Sequence, residues 1–414
     1  MSRHVVVMVA SSYPRFPGDS VGTFMEPIAK SVAARGHDVH VVAPWHPLVR
    51  RPAQEDGVSF HFYKYAPAPS LNVFGYAAAL RADVSLRGAA YVAAPLALAA
   101  GWRTARAVAR RHRATVMHGH WVIPGGPVAA AAAPRLPLVI SLHGSDVYVA
   151  ETFAPARFVA RRVFARAGAI TACSADLGRR AEALGADRAR VEVVPYGVDA
   201  DRFRPDPLIR AKRRAGLGIA SQVPVVFAAG RLVRKKGFEY LIDAAAALPA
   251  SAGILTVIAG AGDLEPELRA QAAASKLDGD RVRFIGNLTQ DEVGEWLATA
   301  DVIVVPSVRD DSGNVDGLPN IVLEALASGT PLVATPAGGI GSVIDHDRTG
   351  VIVPERDAAA LANAIAVLAA DPAKRLALGE AGRAAVKARY GWEFAAARFE
   401  AAYDRALAIT SARR

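Results

Sequence analysis

The chain has 414 residues, of which 52% are hydrophobic and 21% charged, enough apolar material for two folded domains and too much for extended disorder. Its net charge of +10 favours an anionic partner: nucleic acid, an anionic membrane surface or a phosphorylated substrate. The sequence contains no Cys/His finger and no basic strand pair with base-stacking aromatics, which argues against nucleic acid as that partner.

The cysteine content and the apolar runs bear on the compartment. The single cysteine, Cys173, excludes an internal disulfide, and its small neighbours favour a buried structural thiol over a nucleophile. The apolar run near the start is too short for a signal peptide. An uncharged stretch between Arg87 and Arg103 is interrupted by Pro95 and is shorter than the roughly 20 apolar residues of a membrane span. We therefore expect a cytoplasmic protein without a membrane-spanning segment.

The first half of the chain alternates short apolar runs with helical segments. Residues 4–10 form a continuous apolar run, typical of a parallel strand buried on both faces. A loop containing Gly22 and a helix follow, and Gly36 suits the left-handed position after that helix. This order predicts a βαβ unit. Further strands are predicted at 38–43, 115–118, 138–142, 169–171 and 191–194.

The same alternation restarts in the second half, after a polar, arginine-rich stretch from 200 to about 222 that we interpret as the interdomain linker. Strands are predicted at 224–229, 254–259, 282–285, 302–306 and 331–334, and helices at 238–248, 265–277, 292–299 and 321–328. The predicted fold class is α/β, with two Rossmann-like, doubly wound parallel-sheet domains, 1–200 and 201–391, facing an interdomain cleft. The last helix, 392–414, is predicted to pack back onto the first domain.

The most informative motif runs from Asp316 to Ala325 and enters a predicted helix. Free backbone N–H groups at a helix start bind anions. Asp316 precedes the helix and Glu324 lies within it, so the two carboxylates can touch different parts of one ligand. The plain alternative is a capped helix with a partly buried Glu324.

A cationic loop, residues 230–237, follows the first strand of the second half. Arg231 and Lys236 are placed where cations would meet a diphosphate and stabilise it as a leaving group. The alternative is an exposed basic turn.

Histidines follow two adjacent strands of the first half. His118 and His120 end one strand, and His143 follows the next, with Asp146 nearby. These residues are candidates for contacts to sugar hydroxyls or to an acceptor, for zinc ligation, or for capping strand ends. Zinc is the less favoured of these because Asp146 is the only spare carboxylate nearby.

Two other motifs are weak. Residues 260–263 resemble a dinucleotide loop but lack its third glycine and its acidic partner. Residues 278–280 resemble a metal-binding pair of aspartates, which turn chemistry explains.

Basic residues cluster in two segments. In 157–166, Phe158 and Phe164 alternate with arginines at helical spacing, which predicts a basic amphipathic helix. Either this helix lies on a membrane surface, or its apolar stripe is core and its charged face is solvated.

Taken together, the motifs resemble glycosyltransferase family 4, retaining enzymes with the GT-B fold. The resemblance spans nearly the whole chain and rests on the order and spacing of its motifs. These are the Gly22 loop, residues 143–146, residues 195–199, the loop 230–237, and Asp316 to Glu324 followed by Gly338-Gly339. The chain departs from the family pattern at Gly341 and Ser342, where the family has proline and glutamate, and at Asp316, where the family usually has glutamate.

The resemblance implies a role for each of these positions. It implies that Arg231 and Lys236 bind the donor diphosphate, and that Glu324 binds the ribose. His143 and Asp316 are implied to lie near the donor sugar, and together with Arg231 and Lys236 they form the implied catalytic set. The remaining donor-binding positions it implies are Gly22, Gly230, Arg283, Gly286, Gly317, Leu318, Pro319 and Asn320. His120 and Asp146 are assigned to the acceptor side.

The implied reaction moves a hexosyl-type sugar from a nucleoside-diphosphate sugar to a hydroxyl acceptor, with retention of anomeric configuration. The partners would be the nucleotide sugar, a sugar or lipid-linked acceptor of the cell envelope, and an anionic membrane on whose inner face the protein would be peripheral. No cofactor and no metal are expected, because the paired cations take the place of a metal. The alternatives are a nucleotide-sugar epimerase or hydrolase of the same fold, and a non-catalytic membrane-surface protein.

Overall fold

The computed structural model describes residues 3–19, 21–68, 71–72, 74–76, 88–277, 279 and 281–412. The chain divides into two compact units, Met1–Gly197 with Trp392–Arg414, and Val198–Gly391. The first unit therefore ends at Gly197, against a predicted domain end at residue 200. Each unit is a parallel sheet covered by helices, the arrangement expected of α/β chains with apolar strands.

The first unit is built on an eight-stranded sheet. Its strands are β1 (Val5–Val9), β2 (Asp38–Pro44), β3 (Gln54–Glu55), β4 (Val58–Tyr63), β5 (Val116–His120), β6 (Leu138–Leu142), β7 (Ala169–Ala172) and β8 (Val191–Val193). The spatial order is β3-β4-β2-β1-β5-β6-β7-β8, parallel except for the β3–β4 pair. Every residue of β5, β6 and β7 is buried, which explains the largely apolar composition of β6 and β7.

Helices connect these strands. They are α1 (Met25–Ala34), α2 (Gly88–Arg111), α3 (Gly126–Ala132), α4 (Ser145–Thr152), α5 (Ala154–Arg166) and α6 (Ala175–Ala183). Gly36 follows α1 with φ of 92°, the left-handed conformation predicted for it. Cys173 is buried after β7.

The second unit has a six-stranded, wholly parallel sheet in the order β11-β10-β9-β12-β13-β14. Its strands are β9 (Val225–Ala229), β10 (Leu255–Ala259), β11 (Val282–Phe284), β12 (Val302–Val305), β13 (Leu332–Ala334) and β14 (Val351–Ile352). Its helices are α7 (Pro207–Gly216), α8 (Phe238–Ala247), α9 (Glu265–Ala274), α10 (Gln290–Thr299), α11 (Asn320–Ser328), α12 (Ala358–Ala370) and α13 (Pro372–Arg389).

The final helix, α14 (Trp392–Ala412), belongs to the first unit and packs on α1, β6 and β7. Its Tyr403 is completely buried. A Cβ on Gly168 would lie 2.7 Å from the Cα of Ala406, so this helix approaches the start of β7 as closely as a glycine allows.

The stretch from 200 to 222 is not a linker, and that prediction was wrong. It contains α7, which packs on α10 within the second unit. Arg214 of α7 is buried, where its guanidinium pairs with Asp301 at 3.2 Å and donates to the carbonyl of Ala220 at 2.9 Å. Arginine in this stretch was interpreted as the polar composition of a linker. In the structure it instead donates to carbonyl groups and pairs with a carboxylate.

Two other segments of the sequence analysis remain. The uncharged stretch that precedes Arg103 is part of the helix α2 from residue 88 onward. Asp278 and Asp280 lie outside the described residues. Among the helices that the structure describes, none is both long enough and apolar enough to cross a bilayer.

Candidate active site

The loops after three strands of the second unit are joined at the carboxyl edge of its sheet. Gly230 N donates to the carbonyl of Ala259 at 3.0 Å, and Gly260 N donates to the carbonyl of Gly286 at 2.7 Å. Gly260 has φ of 137°, and a Cβ there would lie 1.8 Å from the Gly230 carbonyl. Glycine at 260 is therefore required by loop packing, which accounts for the weak dinucleotide-like motif.

The cationic loop is a short 3₁₀ turn, Arg234–Lys236, between β9 and α8. It ends at Gly237, whose φ is 65° and whose Cβ position lies 2.0 Å from the carbonyl of Pro306. This contact fixes the turn against the end of β12. Arg231 is exposed, whereas Lys235 is buried and Lys236 is partly buried.

Asp316 holds the two lysines of this turn. Its Oδ1 lies 3.2 Å from Lys235 Nζ, and its Oδ2 lies 2.5 Å from Lys236 Nζ. Burial alone would raise the pKa of Asp316, but Lys236 and Lys235 outweigh it and hold the pKa well below its usual range. Asp316, which the resemblance places near the donor sugar, thus pairs with Lys236, which the resemblance assigns to the donor diphosphate, and with the neighbouring Lys235.

The pair Gly338-Gly339, which follows the Asp316 motif in the sequence, has a structural role at Gly338. Its φ is 59°, and a Cβ there would lie 1.9 Å from the backbone oxygen of Asp316. The Gly338 turn therefore supports the Asp316 backbone directly. Ile340–Ser342, where the chain departs from the family pattern, forms a 3₁₀ turn in which the Ser342 hydroxyl donates to the Gly339 carbonyl at 2.6 Å.

The helix α11 begins at Asn320 directly after Pro319, whose side chain offers no cap acceptor. An N-cap side chain usually accepts a hydrogen bond from one of the first backbone N–H groups of a helix, and Pro319 makes no such bond. Gly317, Leu318 and Pro319 are buried next to this helix start. This geometry is compatible with the phosphate and sugar contacts expected of residues 317 to 320.

Glu324 lies in the second turn of α11 with only 7% of its surface exposed. Burial raises its pKa to about 7, although Arg202 and a hydrogen bond from Gln290 act in the opposite direction. A carboxyl group that titrates near neutral pH is a mark of a functional site.

Arg283 and Gly286 lie on and after β11. The Arg283 Nε donates to the carbonyl of Gly279 at 2.8 Å, so this guanidinium is used within its own turn. Gly286 has φ of 72°, and its carbonyl accepts the hydrogen bond from Gly260. The contacts expected to the nucleobase would therefore come from backbone atoms here.

In the first unit, the loop after β1 leads through Gly22 into α1. Gly22 has φ of 64°, and its carbonyl accepts a hydrogen bond from Met25 N at 2.9 Å. Glycine is favoured at position 22 because the backbone is left-handed there. Crowding is not the reason, since a Cβ would approach only Ser12, with its hydroxyl at 3.3 Å. The turn places Phe24 at the start of α1.

A chain of hydrogen bonds links Tyr196, His143 and His120. The Tyr196 hydroxyl lies 2.7 Å from His143 Nδ1, and His143 Nε2 lies 3.2 Å from His120 Nδ1. Burial lowers the pKa of His120 to about 3, and burial together with His120 lowers that of His143 well below its usual range. Both imidazoles are therefore neutral, and each can donate at one nitrogen and accept at the other.

His120 was expected on the acceptor side, but its side chain is completely buried. Its Nε2 makes no hydrogen bond with any described residue, and its Nδ1 faces His143. Because His120 does not reach the surface, it can bear on a ligand only through its contact with His143. His143 itself is partly exposed.

Three aromatic side chains surround His143, and the sequence interpretation gave them no role. Ring centroids of Phe24 and Trp121 each lie 4.7 Å from that of His143, and Tyr196 stacks on it at 5.9 Å. Phe24 in turn stacks on Tyr196 at 4.9 Å. In the sequence, each of these three aromatic residues lies beside a motif. Sequence alone does not distinguish such residues from aromatic residues of the core.

His118 and Asp146 have structural partners for all their polar side-chain atoms. His118 Nδ1 lies 2.9 Å from the Tyr403 hydroxyl, and its Nε2 lies 2.7 Å from the Ser141 hydroxyl. Asp146 accepts backbone N–H groups from Val122, Gly144 and His143 at 2.7, 2.9 and 3.2 Å. Asp146, expected at the acceptor side, instead ties the loop after β5 to the loop after β6. These partners also argue against a zinc site built on His118 and Asp146.

We expect Asp146→Asn to lower the free energy of unfolding by about 2–3 kcal/mol. An amide has one acceptor oxygen, so its NH₂ group would face a backbone N–H that the carboxylate now binds. The midpoint of denaturant unfolding measures the effect. Asp56→Asn is the matched control, because Asp56 is exposed and pairs with Lys30 at the surface. An equal effect of the two substitutions would contradict the role given to Asp146.

Comparison with known proteins agrees with the motif assignment. Residues 21–202 match the family described as Glycosyltransferase Family 4, and residues 209–385 match the family described as Glycosyl transferases group 1. The first match covers the first unit from residue 21 and ends five residues beyond Gly197, and the second match lies within the second unit.

Two relatives illustrate the similarity. The chain is 34% identical over 287 residues to the GDP-mannose-dependent alpha-(1-6)-phosphatidylinositol monomannoside mannosyltransferase of Mycobacterium tuberculosis, covering 67% of this chain and 73% of that protein. It is 32% identical over 335 residues to the D-inositol 3-phosphate glycosyltransferase of Kineococcus radiotolerans, covering 74% of each.

Solved structures share the fold at low sequence identity. The Anabaena protein Alr3699/HepE, solved in complex with UDP, aligns with a TM-score of 0.76 at 20% identity over 96% of this chain and 98% of that chain. Sucrose-phosphate synthase from Thermosynechococcus elongatus aligns with a TM-score of 0.77 at 21% identity, over 98% and 100% of the chains. Together with the matches in sequence, these show that the chain belongs to glycosyltransferase family 4 and has the GT-B fold, which confirms the resemblance drawn from its motifs.

Proposed function

We propose that this protein transfers a hexosyl residue from a nucleoside-diphosphate sugar to a hydroxyl acceptor, with retention of anomeric configuration. The observation that carries the proposal is the ion pairing of Asp316, which precedes α11, with Lys235 and Lys236 of the loop that contains Arg231. Glu324, with its buried carboxyl, follows within the same helix. Cations suit a diphosphate, and a carboxylate suits a ribose diol.

The ion pairs suggest how the donor is received. Asp316 keeps both lysines ordered, so the entropic cost of arranging them is met on folding rather than on binding. A diphosphate carries more negative charge than one carboxylate and competes with Asp316 for Lys236. The same ammonium, with Arg231, then stabilises the charge that develops on the leaving nucleoside diphosphate. No metal is required in this proposal, because fixed side-chain cations serve that purpose.

In the first unit, His143 is the residue proposed to contact the transferred sugar. As a neutral imidazole it can exchange a hydrogen bond with a sugar hydroxyl without burying a charge, with the hydroxyl replacing the 3.2 Å contact between its Nε2 and His120. Tyr196 fixes its orientation through Nδ1, and Phe24 and Trp121 pack on its ring.

The first donor to test is GDP-mannose, since the mycobacterial relative is described as GDP-mannose-dependent. We propose an acceptor that is lipid-linked or carries an inositol phosphate, the two kinds of acceptor that the names of the relatives indicate. The purified protein would be incubated with UDP-, GDP- and ADP-sugars, with and without phosphatidylinositol or inositol phosphate, and nucleoside diphosphate release would be measured.

Acceptor-dependent release from one donor, with a product whose anomeric configuration matches the donor by NMR, is the expected result. Release without any acceptor, or conversion of the sugar while it stays on the nucleotide, would point to a hydrolase or an epimerase instead. If calorimetry detected no binding of any donor, the transferase proposal would be wrong.

We also propose that the protein acts peripherally on the cytoplasmic face of an anionic membrane, through α5. The helix buries Val163 and Phe164, so one apolar stripe is core. Phe153, just before the helix, and Phe158 within it remain 59% and 60% exposed. Arg157, Arg161 and Arg162 are exposed beside them, and the Arg162 guanidinium lies 4.8 Å from the centroid of the Phe158 ring. Exposed aromatics among cations fit an anionic interface.

Replacing both aromatics, Phe153→Ser with Phe158→Ser, is expected to weaken binding to vesicles containing phosphatidylglycerol at least about tenfold, because their burial in the bilayer interface is lost. Cosedimentation measures this. Leu376→Ser serves as the control, since Leu376 is 63% exposed on the second unit. Equal binding to neutral and anionic vesicles, or an unchanged double variant, would contradict membrane docking through α5.

A further inference from the structure

Three histidines of the first unit converge away from the residues discussed so far. His40 lies on β2 and His61 on the neighbouring β4, where Val42 is the register partner of His61. His40 and Val42 are two residues apart, so His40 and His61 share one face of the sheet. His112 follows the last residue of α2, and α2 packs on β1, β2 and β4. The helix end thus brings His112 onto the two strand histidines.

The ring nitrogens are spaced as metal ligands are. His40 Nδ1 lies 3.1 Å from His61 Nε2, and the His40 and His112 ring centroids lie 3.9 Å apart. One nitrogen from each of the three rings lies within 4.8 Å of the other two. Ligands about 2.0–2.1 Å from a tetrahedral zinc ion are roughly 3.3 Å apart, so small rotations of the side chains complete the set.

Hydrogen bonding within the protein does not account for this convergence. One bond joins His40 and His61, but the His112 ring makes no hydrogen bond with any described residue. The Nε2 of His40 is buried, also without a hydrogen-bond partner among the described residues. That nitrogen lies 3.4 Å from Asp38 Oδ1. A carboxylate beside the second nitrogen of a ligating histidine is the arrangement that orients such ligands in metal sites.

Access also suits an ion. His40 is buried, whereas His61 and His112 are partly exposed, so solvent reaches the cluster. A neutral imidazole offers the lone pair that metal binding requires. The positive charge of Arg111 repels a bound cation and so lowers the affinity of the site for it.

We propose that His40, His61 and His112 form a binding site for one divalent transition-metal ion of the kind that imidazole favours, zinc, nickel or copper. The ion would join the end of α2 to β2 and β4, with water in the remaining coordination position. This site is distinct from the transfer residues. His112 precedes β5, whereas His120 ends that strand and His143 follows the end of β6, at the opposite edge of the sheet. The role of the bound ion is to stabilise the first unit.

The test uses the full-length protein, freed of any histidine tag and treated with chelator. Titration with Zn²⁺ followed by calorimetry is expected to give one equivalent bound, and Zn²⁺ is expected to raise the thermal midpoint by a few degrees. Co²⁺ should give the visible absorption of a site with nitrogen ligands. His61→Asn and His112→Asn should each weaken Zn²⁺ binding at least tenfold and remove the rise in the midpoint.

His346→Asn is the matched control, because His346 is exposed and lies in the second unit. It should bind Zn²⁺ as the parent does. His112→Asn replaces a partly exposed ring that makes no hydrogen bond, so this variant is expected to fold, and circular dichroism checks that it does. Absence of saturable Zn²⁺ binding, or binding unchanged in both His61→Asn and His112→Asn, would overturn the proposal. Enzyme activity is not used as a readout, so the result is independent of the proposed transfer reaction.

Discussion

Arg231→Ala is expected to lower kcat/KM for the sugar-nucleotide donor by about 10²- to 10³-fold, and Lys236→Ala by at least as much. In the proposed reaction both cations act on charge that is greatest when the diphosphate leaves, so most of the loss should appear in kcat. Arg231 is exposed, and its replacement should leave stability nearly unchanged. Lys236→Ala removes one of the two partners of a largely buried carboxylate and should also lower stability.

Arg234→Ala is the matched control for this prediction. Arg234 belongs to the same turn, is exposed, and its guanidinium pairs with Glu267 at the surface, 2.5 Å away. Its replacement is expected to change kcat/KM less than about twofold. Steady-state kinetics with the donor identified in the panel, together with unfolding midpoints, separate the two effects. If Arg231→Ala and Arg234→Ala lost activity equally, the loop would act through its net charge rather than through a diphosphate contact.

Continuous apolar strands were the features most readily predicted from the sequence. Strand β6 was predicted with the correct bounds, 138–142, because every one of its residues is buried. Strands β3 and β4 were missed. In β4, Val58, Phe60 and Phe62 alternate with polar residues on a strand near the sheet edge, and such a short alternation is a weak signal. Helix α7 was missed because its arginines were interpreted as linker polarity, whereas Arg214 pairs with Asp301, which is 87 residues away in sequence.

The candidate site was predictable wherever a motif is local. The cationic loop and the start of α11 each depend on adjacent residues, and the structure brings both to Asp316. The role of Asp146 was not predictable, because its ligands are backbone N–H groups that a fold must first assemble. The His40 cluster is hidden for the same reason: its members lie on three separate elements with no motif spacing.

Glu324→Gln is expected to stabilise the protein at pH 8 while it weakens donor binding. The pKa of Glu324 is raised from 4.5 to about 7, so the native state favours the protonated form. For a carboxyl with a raised pKa, its contribution to stability is greatest below the unfolded value and falls as pH rises through the folded value. Ionisation at pH 8 thus costs the native state up to about 3 kcal/mol, and a neutral glutamine avoids that cost.

The expected gain at pH 8 is therefore about 1–3 kcal/mol in the free energy of unfolding, reduced by the lost attraction to Arg202, and it should disappear near pH 4. Unfolding in urea at several pH values measures it. Glu380→Gln, at an exposed position of α13, should change stability little at any pH.

Donor binding should respond in the opposite sense. Only the ionised carboxylate accepts hydrogen bonds from both ribose hydroxyls, so KM of the parent should rise as pH falls below about 7. In Glu324→Gln, KM should be about tenfold or more higher at pH 8 and nearly independent of pH from 6 to 8. A variant that is more stable yet binds the donor worse would place Glu324 among residues kept for function at the expense of stability. Unchanged KM and unchanged stability together would mean that the carboxyl is simply a protonated core residue, and the ribose contact would have to be sought elsewhere on α11.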